Sequence, residues 1–137
     1  MRLELGKDLE TLRAEARRRI DAEAEAIRQR HVTPGAGQAM TYLAKESQAR
    51  ACMAEESPDP AAYPLLAATA GIERHPETGE VAEAVQDVAA IVLLILDQWM
   101  QAAAAIERAR ISAKQAVDDA TTPAEIEAAA DVDWPAV

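Results

Sequence analysis

Apolar residues at Val81, Val85, Val88, Val92, Ile95, Trp99, Ala102, Ile106, Ala109, Ala113, Ala116 and Ala120 follow one another at alternating steps of four and three. That spacing marks a heptad seam on a single helix. It predicts an unbroken helix over residues 79–120, which at about 1.5 Å per residue is about 60 Å long. A chain of 137 residues has room for one domain and one core, with roughly two thirds of its unfolded surface open to burial. The next longest helix, over residues 5–30, reaches about two thirds of the length of the first. Part of the seam is therefore left for another chain. β-Branched residues occupy both alternating positions near its middle, which favours three or more strands. The expectation is an all-α protein, a single helical domain over residues 1–137. Its architecture is an elongated helical hairpin or bundle with one long C-terminal heptad-patterned helix, assembled as an oligomeric coiled coil, trimer or higher.

Composition points the same way. Half of the chain is hydrophobic, yet 33 residues are alanine and none is phenylalanine. Alanine favours helix and lets helices approach closely, but each one removes little apolar area from water. A lone subunit has few large side chains to stabilise it, and neighbouring copies relieve that shortage.

The net charge of −10 argues against a nucleic-acid backbone as partner. Residues 1–72 carry 10 basic and 11 acidic side chains, whereas residues 73–137 carry 4 and 13. The difference is that of a mixed-charge front half and an acidic rear half, which solvated helix faces explain and which can also set register between subunits. One cysteine, Cys52, rules out an intramolecular disulfide and fits a reducing compartment. The opening residues lack the basic-then-apolar pattern of a secretory signal.

Five helices are predicted, over residues 5–30, 37–55, 60–71, 79–120 and 122–130, with an extended tail over 131–137. The first carries Leu5, Leu9, Leu12, Ala16, Ile20, Ala24 and Ile27 at helical spacing, with arginines and acids three or four apart elsewhere. Thr33 and Pro34 suit the N-cap and first position of the second helix, whose apolar stripe reads Met40, Leu43, Ala44, Ser47, Ala51 and Ala54. Asp59 suits the cap of the third. Thr122-Pro-Ala-Glu125 is a capping box for the last.

No constellation nominates a catalytic centre, a cofactor or a metal. Gly35-Ala-Gly37 lacks the strand, third glycine or Gly-Lys-Ser/Thr ending of a phosphate loop. His31 and His75 have no second ligand at helical metal spacing. Acidic pairs such as Glu55-Glu56 and Asp118-Asp119 read as solvated faces, and Cys52 has no basic neighbour to activate its thiol. The apolar run from Val88 to Leu96 continues, interrupted only by Asp97, Gln98 and Gln101, as far as Ile106, about the length of a membrane span, but Asp97 falls near the middle of such a span and no basic cluster flanks it. Burial among helices explains the run better. Trp99 is the packing anchor of the seam, and Trp134 with Pro135 forms a tail suited to fold back or to dock onto a neighbour.

Four stretches carry a resemblance: Ala16-Arg-Arg-Arg-Ile-Asp21, the segment around Tyr42, Lys45, Ala49 and Arg50, the run from Pro64 to Ile72, and Ala120-Thr-Thr-Pro-Ala-Glu-Ile-Glu-Ala128. In these the chain resembles a domain of small tail-associated proteins of tailed bacteriophages, also found at the ends of some tail-fibre proteins. The resemblance implies a tail component or a fibre-assembly factor, and with the helical, acidic, non-enzymatic, cytosol-made character read from the residues the expectation is a structural protein of the phage tail, associated with the fibres or their attachment, made in the host cytoplasm and carried in the virion tail. Its partners would be copies of itself and other tail or fibre proteins. A fibre-assembly chaperone absent from the virion and a small helical regulator of a host partner are the rival readings.

Overall fold

The computed structural model describes residues 8–31 and 35–136. Five α-helices and no β-strand occur among the described residues: α1 (Leu9–Gln29), α2 (Ala36–Met53), α3 (Pro64–Ala67), α4 (Val85–Asp119) and α5 (Pro123–Ala130), with a 3-10 turn at Pro60–Ala62. The all-α expectation and the long C-terminal helix are both met. Contacts divide the chain into two units, residues 1–32 with 101–137, and residues 33–100. Helix α4 is continuous for 35 residues and supplies a stretch to each.

In the unit built from the chain ends, the first helix opens at Leu9 because Asp8 is extended (ψ 173°) and its carboxylate accepts the Thr11 amide at 2.8 Å. The expected helical start at Leu5 lies outside the described residues. From there the apolar stripe is as anticipated: Ala16, Ile20, Ala24 and Ile27 are buried, and Leu9 and Leu12 pack at the margin. The opposing side chains are Ile106, Ala113, Val117 and Ala120 from α4 and its end, and Ile126 and Ala130 from α5. Full burial of a side chain such as Ile20 contributes about 1.5–3 kcal/mol. Helix α5 is held by the anticipated box, in which the Thr122 hydroxyl accepts the Glu125 amide at 3.1 Å and donates to its carboxylate at 3.0 Å.

In the unit formed by residues 33–100, the core gathers Ala49 and Cys52 from α2, Tyr63 and Leu66 around α3, and Ala82, Val85, Val88, Ala89 and Ile91 at the start of α4. Three expectations need correction here. Helix α2 opens at Ala36 with Gly35 as N-cap at φ +118°, a conformation glycine reaches without strain; Thr33 and Pro34 lie outside the described residues. The third helix is not continuous over 60–71: Asp59 caps the 3-10 turn by accepting from the Ala61 amide. Tyr63 then breaks it at φ −129° and ψ 66° before Pro64, as a residue preceding proline is disfavoured in the α region.

The third correction concerns the long helix, which starts at Val85 and not at 79. Residues 71–82 spend their backbone groups on one another instead. Gly71 donates to Ala82 at 2.7 Å, Ala82 to Glu73 at 2.8 Å and His75 to Glu80 at 2.8 Å. Arg74 and Val81 form an antiparallel bridge. The His75 ring closes the turn, its Nδ1 accepting the amides of Glu77 and Thr78 at 3.1 and 3.2 Å. Val81 therefore sits on this turn and outside the helix. At the helix entrance, Asp87 accepts the Ala84 amide at 3.3 Å, the task of an acid in the first turn.

Candidate functional site

The surface features that set this chain apart are apolar side chains left in solvent, and most lie in residues 33–100. Met40 is 70% exposed and Leu43 69%, on α2; Ile95 is 47% and Met100 60%, on α4. Soluble chains scatter single exposed apolar residues. Here they recur along two helices.

On α4 the predicted seam divides by environment. Val85 and Val88 are buried in the core of their unit, and Ile106 and Ala113 in the core of theirs. These positions are already filled by the chain's own packing. Val92, Trp99, Ala102 and Ala109 are partly covered, Ile95 is exposed, and Ala116 is exposed while the adjacent Val117 is buried. The buried line thus leaves the strict seam near its end, the drift expected of a straight helix against a seven-residue repeat. Met100 did not figure in the seam; its only signal was its place at the end of an all-round apolar run. By length and composition α4 is long and apolar enough to cross a membrane, and 17% of its most apolar window is buried.

On α2 the anticipated stripe is turned outward. The helix covers Ala49 and Cys52 fully and Gln38, Thr41, Lys45 and Gln48 in part, whereas Met40, Leu43, Ala44, Ser47, Ala51 and Ala54 are exposed. A hydrogen bond fixes that rotation: the Gln48 side-chain oxygen accepts the Leu65 amide at 3.0 Å, tying the polar arc of α2 to α3.

Trp134 folds back on α1, packs at the edge of the Ala24, Ile27 and Ile106 cluster, and donates its indole N–H to Glu23 at 2.9 Å. Its ring is half-buried against its own chain, the fold-back arrangement of the two that the sequence left open. An open cleft of about 320 Å³ remains beside it, lined by Glu23, Ala26, Ile27, Arg30, Trp134 and Pro135. Glu23 is held below the usual carboxylate range by the Trp134 indole first and Arg19 second. Nearby, burial raises the Asp21 carboxyl, but Lys114 at 3.0 Å and Arg110 at 2.9 Å outweigh it and hold it low.

Titratable groups elsewhere among the described residues give no reacting pair. Cys52 is buried, and that burial, reinforced by Glu55, pushes its thiol up and away from thiolate. Tyr63 is pushed up to about 12 by its hydrogen bond to Glu55 and by burial. His31 is exposed at the end of α1, and His75 serves its turn. No group of three or more His, Cys, Asp or Glu side chains is placed to hold a metal among the described residues. What the arrangement offers is apolar contact area bordered by charge. No protein-family model, curated protein or solved structure matches the chain.

Proposed function

We propose that this chain is a non-enzymatic structural protein of a bacteriophage tail, associated with the fibres or their attachment, and that it self-associates through the middle of α4. The observation that carries the self-association is the exposure of Ile95 and Met100 on a helix whose flanking seam residues, Val88 and Ile106, are fully buried. Two apolar side chains left in water on either side of Asp97 and Gln98 favour another surface over solvent. The tail assignment is supported by the resemblance in the stretches 16–21, 42–50, 64–72 and 120–128.

Light scattering on the full chain tests the first part. The wild type is expected above monomer mass, and Ile95→Glu is expected to return it toward monomer with less than about 0.5 kcal/mol change in stability, as for an exposed position. A wild-type monomer at about 100 µM, a concentration at which even weak contacts form, removes the reading. Mass spectrometry of purified virions tests the second part: presence supports a structural component, and absence supports the assembly chaperone instead.

A further inference from the structure

Helix α2 is rotated the wrong way for a helix that lives alone in solvent. An amphipathic helix buries its apolar stripe and shows its polar arc. This one buries fully only the small Ala49 and Cys52, covers Gln38, Thr41, Lys45, Glu46 and Gln48 in part, and shows the stripe headed by Met40 and Leu43. Along that stripe Met40, Ala44, Ser47, Ala51 and Ala54 step by four, three, four and three, a second heptad seam, about 20 Å long at 1.5 Å per residue.

We propose that this face of α2 docks, antiparallel, on the same face of α2 in a second copy of the chain. Size decides the orientation. The large residues Met40 and Leu43 stand at one end of the stripe and the small residues Ala51 and Ala54 at the other. Antiparallel alignment about Ser47 lays large on small at both ends and keeps one helix separation throughout. Parallel alignment sets Met40 on Met40 and splays the pair.

Charge agrees. Arg50 and Glu46 border the same side of the stripe, 3.3 Å apart within the helix. The antiparallel pair brings each copy's arginine to within about 3 Å, along the axis, of the level of the other copy's glutamate, from the rise per residue. In a chain of net charge −10, α2 carries only Lys45, Glu46 and Arg50. Two copies meet there without the repulsion that opposes contact between the acidic residues of 73–137. The symmetric, self-complementary patch is what a two-fold dimer requires. A helix pair of this length covers less than the roughly 1,200 Å² of a standard interface, so the contact is a weak and reversible one that does not depend on association through α4.

Cross-linking of the full chain tests it, with Met40→Cys and Ala54→Cys made separately; the buried Cys52 makes the wild type the blank. At about 100 µM, chosen for a weak interface, a short bismaleimide is expected to link the two variants when mixed and neither alone. The same residue on two antiparallel copies stands about 20 Å from itself. Linking of Met40→Cys to itself as well as to the mixture, or no linking in the mixture, overturns the proposal. Adding Ser47→Glu to both variants, which sets two carboxylates at the two-fold axis, is expected to cut the mixed product at least tenfold with the helical content unchanged. An unchanged yield overturns it. Adding Ile95→Glu to both is expected to leave the mixed product in place, and its loss shows that α2 is brought together only by α4.

Discussion

The two units solve the same shortage of bulky residues in different ways. In the unit of residues 1–32 and 101–137, α1 and α5 lie against the second part of α4, and charged side chains span the seams between them. Asp21 takes both Arg110 and Lys114, Arg19 reaches Glu127, and the Arg13 guanidinium donates to the Ala120 carbonyl at 2.8 Å. Ile111 is the large apolar residue left exposed there among the described residues. In residues 33–100 the elements that cover α4 are short, the ion pair between Glu46 and Arg50 lies within one helix, and Met40, Leu43, Ile95 and Met100 face solvent. Alanine-rich helices close on themselves where they turn their apolar stripes to one another, as α1 and α5 do. Where a covering helix turns its stripe outward, as α2 does, that surface stays available.

Each unit contains one tryptophan, Trp134 in the first and Trp99 in the second. Single-tryptophan variants therefore read the units separately and put the comparison at risk. The largest expected effects come from core truncation. Ile20→Ala should cost about 3 kcal/mol, read by Trp134 fluorescence in urea, and Leu66→Ala about as much, read by Trp99, since both side chains are fully buried. If each variant shifts both signals equally, the division into two units fails as an energetic statement.

Trp134→Ala should cost about 2 kcal/mol, below the range for a fully buried aromatic because the ring is half-buried. The loss should appear as a lower melting temperature and leave the molar mass unchanged. A fall in mass with stability intact would assign the tail a docking role.

The smallest effect is in pH, and it has opposite signs in the two units. Glu23 and Asp21 are held low in the folded state. The stability they contribute is present above the unfolded value near 4 and lost as pH falls through the lower folded value, so the Trp134 signal should weaken below about pH 4.5. Tyr63 is raised to about 12. Its contribution is complete below the unfolded value near 10 and lost as pH rises from there toward about 12, so the Trp99 signal should fade in alkali. Parallel acid and alkaline profiles from the two reporters would break the contrast.

The first helix and the last were readable because their signals are local and strong. Ile20 and Ile27 stand on a stripe whose surroundings are charged, and Thr122 and Glu125 hold each other three residues apart. The start of α4 was not. Val81 fits the heptad by spacing, but its backbone lies in the turn paired with Arg74, and pairing at a distance leaves no trace in periodicity. The outward face of α2 is not legible for a related reason. Ala49 and Cys52 carry little hydrophobic weight beside Met40 and Leu43, so the stripe that looks buried by pattern lost to the one fixed by the Gln48 bond to Leu65. The exposed middle of α4 was half legible, since the apolar run from Val88 to Leu96 announced burial without saying by what.

Cys52 is fully covered and its thiol is pushed away from the reactive form. An alkylating reagent can reach it only when residues 33–100 transiently open, so the rate of its modification is a clock for that opening. The chain thus carries a native stopwatch, and whether a second copy slows it gives a label-free measure of how far assembly stiffens this part of the protein.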